Sequence, residues 1–338
     1  MLNLEQRIDV LVKLGERLKD ESALPKSLLR RIKAHNPWFI PENVKSAVSG
    51  IVEQYLNKNR LEEWLAAYTI KDAQPKKVGL ILAGNIPLVG IHDVLAVFIA
   101  GHYSHIKLSD KDNILLPIII DEIVKISKEA QSYFVVVERL SDFDAVIATG
   151  SNTSQKYFEK YFGKVPNIIR ANRNGVAIIY KDSAPEDIAK LGKDIFSYFG
   201  LGCRNVSKLY LEEGVDLKQF YEPIDKYYDI INHHKYKNNY DYTNALYLMN
   251  KEEYFTNNFL ILRPNTSLSS RISAVHFERF STVASLSEEL ESRRGEIQCI
   301  VSDRELGGSR IVNFGMSQSP GLSDYADDVD TMEFLLSI

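Results

Sequence analysis

The chain has 338 residues, 45% of them hydrophobic and 25% charged, which is the composition of an ordinary folded protein of about two domains. Its 41 basic and 45 acidic residues leave a net charge of −4, so no basic field of the kind that nucleic-acid-binding proteins carry is present. Two cysteines are too few for a disulfide framework, and no segment has the pattern of a signal peptide or a membrane span, which predicts a cytoplasmic protein.

The first half of the chain is predicted to pass from helices into βαβ units. Residues 1–72 have apolar residues at helical spacing, most clearly over 41–57, and 74–77 form a polar connector. Short apolar runs then alternate with helical segments, which indicates a parallel sheet covered by helices. The predicted strands are 78–83, 103–108, 133–137, 145–148 and 165–170, and the helices between them are 88–101, 113–130 and 153–162.

This alternation is interrupted near residue 200, where we place a domain boundary. A strand at 176–180 and a helix at 185–199 precede the loop Gly200-Leu201-Gly202-Cys203-Arg204. The predicted elements beyond it are strands 207–211, 259–262, 275–280, 298–301 and 310–314 and helices 216–231 and 286–294. The tyrosine-rich segment 235–244 is polar and is predicted to lie at the surface. The sequence as a whole predicts an α/β fold.

Cys203 is the first candidate for chemistry. The glycines before it allow close approach of a ligand to the backbone, and the adjacent cation Arg204 favours a thiolate. A small buried residue at a tight turn explains the same pattern. The other cysteine, Cys299, lies in an apolar strand without glycine, which favours structural burial.

Three further candidate sites follow predicted strands, where parallel sheets present groups to ligands. Asn85, in Gly84-Asn85-Ile86-Pro87, fits either an oxyanion donor or a plain turn before a helix. Gly150 and Ser151 open a helix whose free N–H groups suit phosphate, although a purely structural cap fits as well. Lys107 ends a strand, as a ligand contact or as a solvated strand end. The seven histidines lack metal-ligand spacing, so no metal site is predicted.

The order of these signals along residues 78–211 resembles the aldehyde dehydrogenase superfamily. Within it, two segments, Phe199-Gly200-Leu201-Gly202-Cys203-Arg204-Asn205-Val206-Ser207 and Asp324-Tyr325-Ala326-Asp327-Asp328-Val329-Asp330-Thr331-Met332, resemble the LuxC-type acyl-CoA reductases, which include fatty-acid reductases. The resemblance implies a Rossmann-type parallel-sheet cofactor domain with N-terminal helices over 1–200 and an α/β catalytic domain over 201–312. It implies that the tail 313–338 returns to the first domain or to an oligomer interface.

The resemblance also assigns roles. Cys203 is the nucleophile, and Asn85 is the oxyanion donor. Lys107, Gly150 and Ser151 are expected to contact the cofactor. The cofactor implied is NADPH, for which Ser109 and Lys111 suit a 2′-phosphate, while Asp110 between them suits NADH equally.

One departure from the superfamily bears on the reaction. Ordinary aldehyde dehydrogenases carry Glu-Leu-Gly-Gly-Lys where this chain has Arg170-Ala171-Asn172-Arg173-Asn174, and that Glu activates the water that hydrolyses the acyl-enzyme. Arg170 is not a base at neutral pH. The expected reaction is therefore reduction of an acyl-CoA or acyl-protein thioester to a fatty aldehyde through acyl-Cys203.

The resemblance leaves partners and two other functions open. It implies an acyl-transferring partner protein and a homodimer formed by an exchanged strand hairpin, for which 64–77 and the tail after Phe314 are the matching places. A reductase of another activated acyl group, such as an acyl phosphate, fits the same residues. A non-catalytic binding protein of the same fold fits the length, which is short for the superfamily.

Overall fold

The computed structural model describes residues 1–70, 74–306 and 311–338, which form two compact units. The first unit comprises Met1–Asn172 and Pro320–Ile338, and the second comprises Arg173–Ser319. These limits differ from the limits near 200 and 312 that the sequence indicates. The reason is that the strand beginning at Asn174 pairs with later strands of the second unit, so the chain changes unit before that strand.

The first unit is built on a parallel sheet. Its strands are β1 (Lys77–Ile81), β2 (Tyr103–Lys107), β3 (Phe134–Val136), β4 (Ala145–Thr149) and β5 (Asn167–Arg170). They pair in the order β3-β2-β1-β4-β5, and every pairing is parallel. The central strands are buried on both faces, as in a sheet covered by helices on each side. The predicted α/β fold is confirmed.

Helices precede and connect these strands. They are α1 (Leu4–Leu18), α2 (Lys26–His35), α3 (Pro41–Tyr55), α4 (Lys58–Leu65), α5 (Ile91–Ala100), α6 (Leu115–Ile126) and α7 (Asn152–Phe162). Helix α5 is apolar almost throughout and is buried on nearly all sides, as expected for a helix in the middle of a core. Across the ranges that the structure describes, no helix combines the length and apolar character needed to cross a bilayer.

The second unit contains a second sheet with its own helices. Its strands are β6 (Asn174–Ile179), β7 (Val206–Glu212), β8 (Phe255–Thr256), β9 (Ile261–Pro264), β10 (Ala274–Phe280), β11 (Ile297–Val301) and β12 (Ile311–Val312). The order is β12-β11-β6-β7-β10-β9-β8, with only β8 antiparallel to its neighbour among the described pairs. Its helices are α8 (Pro185–Phe196), α9 (Leu217–Ile224), α10 (His234–Met249) and α11 (Val283–Ser292). The start of the predicted strand 310–314, Arg310, lies outside the described residues.

The tyrosine-rich segment is the clearest error of the sequence prediction. Residues 235–244 belong to helix α10, and its residues Tyr236, Tyr240 and Tyr247 are buried. Their spacing of four and then seven residues aligns the rings on one face of the helix, and the hydroxyl oxygens of Tyr240 and Thr256 lie 2.8 Å apart. Tyr236 donates to the Phe259 carbonyl at 3.0 Å. A polar tip with a partner allows a tyrosine to fill a core, which the segment's polarity concealed.

The chain after residue 320 belongs to the first unit and ends in helix α12 (Thr331–Leu336). Met332 and Leu335 are fully buried, and α12 packs against α5. The Trp64 indole N–H donates to the Tyr325 hydroxyl at 2.6 Å, and Tyr68 donates to Asp330 at 2.6 Å. An exchanged hairpin was expected at 64–77 and in the tail after Phe314. The described residues of these segments, 64–70, 74–77 and 315–338, contain helices, turns and the first residue of β1.

Arg170 joins three parts of the first unit. Its guanidinium lies 2.6 Å from the Asp93 carboxylate on α5 and donates to the Thr331 hydroxyl at 2.9 Å. The side chains of Arg170 and Asp93 are only 7% and 5% exposed, so solvent screens their attraction little. Arg170, at the end of β5, therefore links this strand to α5 and to the C-terminal tail through buried polar contacts.

Replacing Asp93 with Ala is expected to lower the free energy of unfolding by about 3–5 kcal/mol, because the Arg170 guanidinium then stays buried without its counter-charge. Urea denaturation followed by circular dichroism measures the loss. The double variant D93L/R170M is the control and is expected to recover most of it, since an apolar pair often replaces a buried ion pair without penalty. A loss below about 1 kcal/mol in the single variant contradicts the assigned role.

Candidate active site

The carboxyl ends of β1, β2 and β4 meet at one edge of the first sheet. Ile81 of β1 is in register with Lys107 of β2 on one side and with Ala148 of β4 on the other. The chain proceeds from β1 to β2 and β3 in one direction and then crosses back to β4 and β5. The position between β1 and β4 is therefore a topological switch point, where α/β sheets bind ligands.

The Asn85 turn leaves this edge directly after β1. A Cβ atom added to Gly84 would lie 2.5 Å from the Ser109 hydroxyl oxygen, so only glycine allows the two segments to approach so closely. Asn85 itself is half-buried. The chain then turns at Pro87 and enters α5 at Ile91. The predicted turn is present, and it lies against the segment that follows β2.

Asp112 fixes the far end of this turn. Its carboxylate accepts a hydrogen bond of 2.8 Å from the N–H of Leu88, whose φ of +57° is in the left-handed region. Asp112 is 8% exposed, and burial raises its pKa to about 6. The sequence did not single out Asp112, because it lies in the polar run Asp110-Lys111-Asp112-Asn113, which is typical of an exposed loop.

The raised pKa of Asp112 makes stability depend on pH. Because the pKa of the folded state lies above the ordinary value of 3.8, the folded state binds the proton more tightly than the unfolded state. This contribution is fully present below pH 3.8 and is lost as the pH rises through about 6. Replacing Asp112 with Asn is expected to remove this dependence, which amounts to about 2 kcal/mol between pH 7.5 and 4.5.

The measurement is urea unfolding of both proteins from pH 7.5 to 4.5, and the difference between the two curves isolates Asp112 from other titrating groups. Parallel curves for the wild type and Asp112→Asn would show that burial does not perturb this carboxyl.

The segment after β2, which carries Ser109 and Lys111, is bound by residues at the end of α2. The ring nitrogen Nε2 of His35 lies 2.7 Å from the Asp110 carbonyl, and the Asn36 amide donates to the Lys111 carbonyl at 3.1 Å. Ser109 accepts the Lys111 N–H through its hydroxyl at 3.3 Å. The segment carrying Ser109 and Lys111 is therefore held in place by contacts within the first unit.

Gly150 and Ser151 form the start of α7, as predicted. The Ser151 hydroxyl accepts the Ser154 N–H at 3.2 Å and caps the helix. A Cβ on Gly150 would lie 2.8 Å from the Phe158 ring, so glycine permits the tight passage from β4 into the helix. A helix of eleven residues that starts at the switch point offers partial positive charge to an anion.

These groups fit a dinucleotide. The structure brings Asn85, Lys107, Ser109, Gly150 and Ser151 to the same edge of the first sheet, with a cation, a helix N-terminus and a close-approach glycine. Among the described residues, no cluster of His, Cys, Asp and Glu suits a metal ion. A cation and a helix N-terminus are groups that suit the phosphates of an organic cofactor.

Cys203 belongs to the second unit and lies between α8 and β7. The chain leaves α8 through Tyr198, Phe199 and Gly200, all with left-handed φ values of 52°, 60° and 77°. It then forms a turn in which the Asn205 N–H donates to the Gly202 carbonyl at 3.1 Å. Cys203 is the second residue of this turn and is exposed. An exposed thiol at a glycine-flanked turn can react with an incoming electrophile, whereas a buried one cannot.

The second cysteine, Cys299, is buried, unlike Cys203. Cys299 on β11 is 5% exposed, and its thiol donates to the Arg204 carbonyl at 3.7 Å. A Cβ on Gly175 would lie 2.7 Å from that same carbonyl, so the loop after Cys203 rests directly on β6 and β11. Cys299 therefore packs against the residue that follows Cys203 in the turn.

A protein-family model described as acyl-CoA reductase (LuxC) matches residues 4–255, which is 252 of the 338 residues. The chain belongs to the LuxC family of acyl-CoA reductases. The match includes both the β1 edge and the Cys203 turn.

Known relatives agree with this family. The long-chain acyl-protein thioester reductase of Aliivibrio fischeri is 26% identical over 292 residues, which are 75% of this chain and 60% of that protein. Aldehyde dehydrogenase 21 from Physcomitrella patens, solved with succinate, superposes with a TM-score of 0.69 at 12% identity, over 99% of this chain and 84% of its own. An E. coli NADP-dependent enzyme gives 0.64 at 15% identity, over 90% and 74%. The fold of this LuxC-family chain is thus that of aldehyde dehydrogenases.

The LuxC match ends before the tail sequence Asp324–Met332, so this second resembling segment lies outside it. The structure shows what the tail does in this LuxC-family chain: Tyr325, Asp330 and Thr331 bind Trp64, Tyr68 and Arg170 of the first unit. Its role in the described structure is to fasten the end of the chain to the first unit.

Proposed function

We propose that this LuxC-family protein reduces a long-chain acyl thioester, carried by coenzyme A or by a protein, to an aldehyde with NADPH. The observation that carries the proposal is Cys203, an exposed thiol on a glycine-flanked turn in a chain whose first unit has a switch-point edge suited to a dinucleotide. The name of the A. fischeri relative supports the thioester substrate.

In the proposed reaction the Cys203 thiolate attacks the thioester carbonyl, and the bond to the carrier sulfur breaks. The carrier leaves as a thiolate and takes a proton from solvent, while the acyl group remains on Cys203. The Cys203 N–H stabilises the negative charge that develops on the carbonyl oxygen, and the family resemblance assigns Asn85 the role of a further oxyanion donor. NADPH, when bound, supplies the hydride, and cleavage of the acyl–sulfur bond releases the aldehyde and restores the Cys203 thiolate.

Arg170 supports reduction over hydrolysis. The side chain at this position is a buried cation bound to Asp93 and Thr331, and a guanidinium does not accept a proton from water at neutral pH. Arg170 therefore does not supply the base that hydrolytic aldehyde dehydrogenases carry at the matching position of their sequence.

We propose NADPH over NADH because Ser109 and Lys111 lie on an ordered segment next to the β1–β2 edge, where their side chains suit a 2′-phosphate. Asp110 favours the opposite choice, so the ratio of kcat/KM for the two cofactors decides between them. We also propose that the protein is a homodimer and that it receives its acyl group from a partner protein. Light scattering measures the oligomeric state.

The deciding experiment is oxidation of NADPH and NADH over a series of acyl-CoA chain lengths, with a hydrazine to trap aldehyde. Trapped aldehyde in proportion to oxidised cofactor, increasing with chain length, supports the proposal. Turnover of acyl phosphate in preference to acyl-CoA assigns the chain to a different activated acyl group. Failure of both cofactors to bind in a calorimetric titration favours a non-catalytic protein.

A further inference from the structure

One buried amide holds the Cys203 turn. The Asn205 side chain, in a residue that is 3% exposed, accepts the Gly202 N–H through its oxygen at 2.8 Å. The Asn205 backbone N–H donates to the Gly202 carbonyl at 3.1 Å. The two ends of the turn are therefore linked twice, once through the backbone and once through the side chain, with Cys203 between them.

The nitrogen of the Asn205 side-chain amide caps the C-terminal end of α8. It donates to the carbonyls of Asp194 at 2.9 Å, Ile195 at 3.3 Å and Ser197 at 2.9 Å. The last carbonyls of a helix have no partner within the helix, and an amide has two hydrogens, so these acceptors share them. Asn205 thus satisfies the helix end and the turn at once.

The helix end to which Asn205 is bound is itself fixed. The Asp194 carboxylate is fully buried and accepts the N–H groups of Gly315 at 2.6 Å and Ser317 at 2.9 Å. The chain reaches Cys203 from this end through three left-handed residues, a conformation that costs energy at Tyr198 and Phe199 and persists only when the surroundings impose it. Asn205 connects the fixed helix end to the turn across this strained passage.

We propose that Asn205 is a positioning residue that orients the thiol and the N–H of Cys203 by binding the Gly202–Asn205 turn to the end of α8. The inference rests on the proposed role of Cys203 as nucleophile. Asn205 does not itself touch the substrate. Its loss therefore misplaces the reacting sulfur while leaving substrate and cofactor binding intact.

Asn205→Ala is expected to lower kcat about 10- to 100-fold, the effect of a displacement of roughly 1 Å at a reacting atom, with the KM values for thioester and NADPH within about threefold of wild type. Asn167→Ala is the matched control. The Asn167 amide caps the carbonyls of Phe162 and Val165 after α7 in the same manner, but in the first unit. The control is expected to lose similar thermal stability and to keep its kcat.

Asn205→Asp adds a readout that a general loss of stability does not produce. It keeps an oxygen for the Gly202 N–H but turns a carboxylate toward three carbonyls. Its activity relative to wild type is expected to be as low as that of Asn205→Ala at pH 8 and to rise toward pH 5, where the protonated carboxyl donates again. Equal kcat values for wild type and Asn205→Ala, or a flat activity ratio for Asn205→Asp, would overturn the proposal.

Failure of the proposed function is separated from failure of this inference by alkylation of Cys203 with iodoacetamide, measured by mass spectrometry from pH 6 to 10. If a radiolabelled acyl-CoA leaves no label on wild-type Cys203, the nucleophile assignment fails. Alkylation then still tests whether Asn205 positions the Cys203 thiol. A changed rate–pH curve in Asn205→Ala, with the Asn167→Ala curve unchanged, supports positioning. Superimposable curves for wild type and Asn205→Ala refute it.

Discussion

Cys203→Ala is expected to abolish covalent acylation and to lower aldehyde formation by about 10³-fold or more, because the variant lacks the thiolate that is proposed to accept the acyl chain. The measurement is incubation with a radiolabelled long-chain acyl-CoA, followed by denaturing electrophoresis and a steady-state assay of NADPH oxidation. Since Cys203 is exposed, its replacement removes little buried surface, and the thermal midpoint is expected to stay close to that of the wild type.

Cys299→Ala is the matched control for this experiment, because it removes the other thiol, which is buried on β11. The control is expected to retain the label on Cys203. Radiolabel that persists on Cys203→Ala would assign the acyl group to another residue and remove the basis of the proposed mechanism.

The second large effect is expected at Asn85. Replacing Asn85 with Ala should lower kcat about 100-fold, or about 3 kcal/mol, because an amide donor to a developing oxyanion contributes mainly in the transition state. Single-turnover acylation of Cys203 in a rapid-quench instrument measures the step directly, and KM for the thioester is expected to change little.

Asn85→Asp tests the same donor with the size of the side chain preserved. A carboxylate at this position repels the oxyanion, so the loss is expected to equal or exceed that of Asn85→Ala. Because Asn85 is only half-buried, both variants are expected to fold. An unchanged rate in both would leave Gly84-Asn85 as a structural turn before α5.

Much of the architecture was predictable because it depends on local pattern. Strand β1 and strand β4 are short apolar runs bounded by turns, and each was predicted within two residues of its observed ends. The helix α10 was missed since its buried face is made of tyrosines, whose hydrogen-bond partners Thr256 and Phe259 lie 16 and 23 residues away in the sequence. The limit between the two compact units, at Asn172, differs from the predicted limit near 200 because strand β6 gains its neighbours only from later parts of the chain.

The candidate site shows the same division. Cys203, Asn85 and the Ser151 helix start were predicted because each stands beside glycine or proline at the end of an element. The residues that hold them were not predicted. Asp112 binds the N–H of Leu88 from 24 residues away, and Asn205 binds carbonyls 8 to 11 residues back. Their side chains are typical of exposed loops, and only the folded structure shows that they are buried.

The first unit is assembled from two separate stretches of the chain, with residues 173–319 between them. During synthesis, Arg170 and Asp93 emerge from the ribosome long before Thr331, and the buried face of α5 is made before α12 exists to cover it. The first unit therefore stays incomplete while the whole second unit is translated, and the apolar surface of α5 that α12 later covers is exposed during that time. Chaperone dependence during expression is expected to be greatest in this interval, and variants that weaken the attachment of the tail are expected to prolong it.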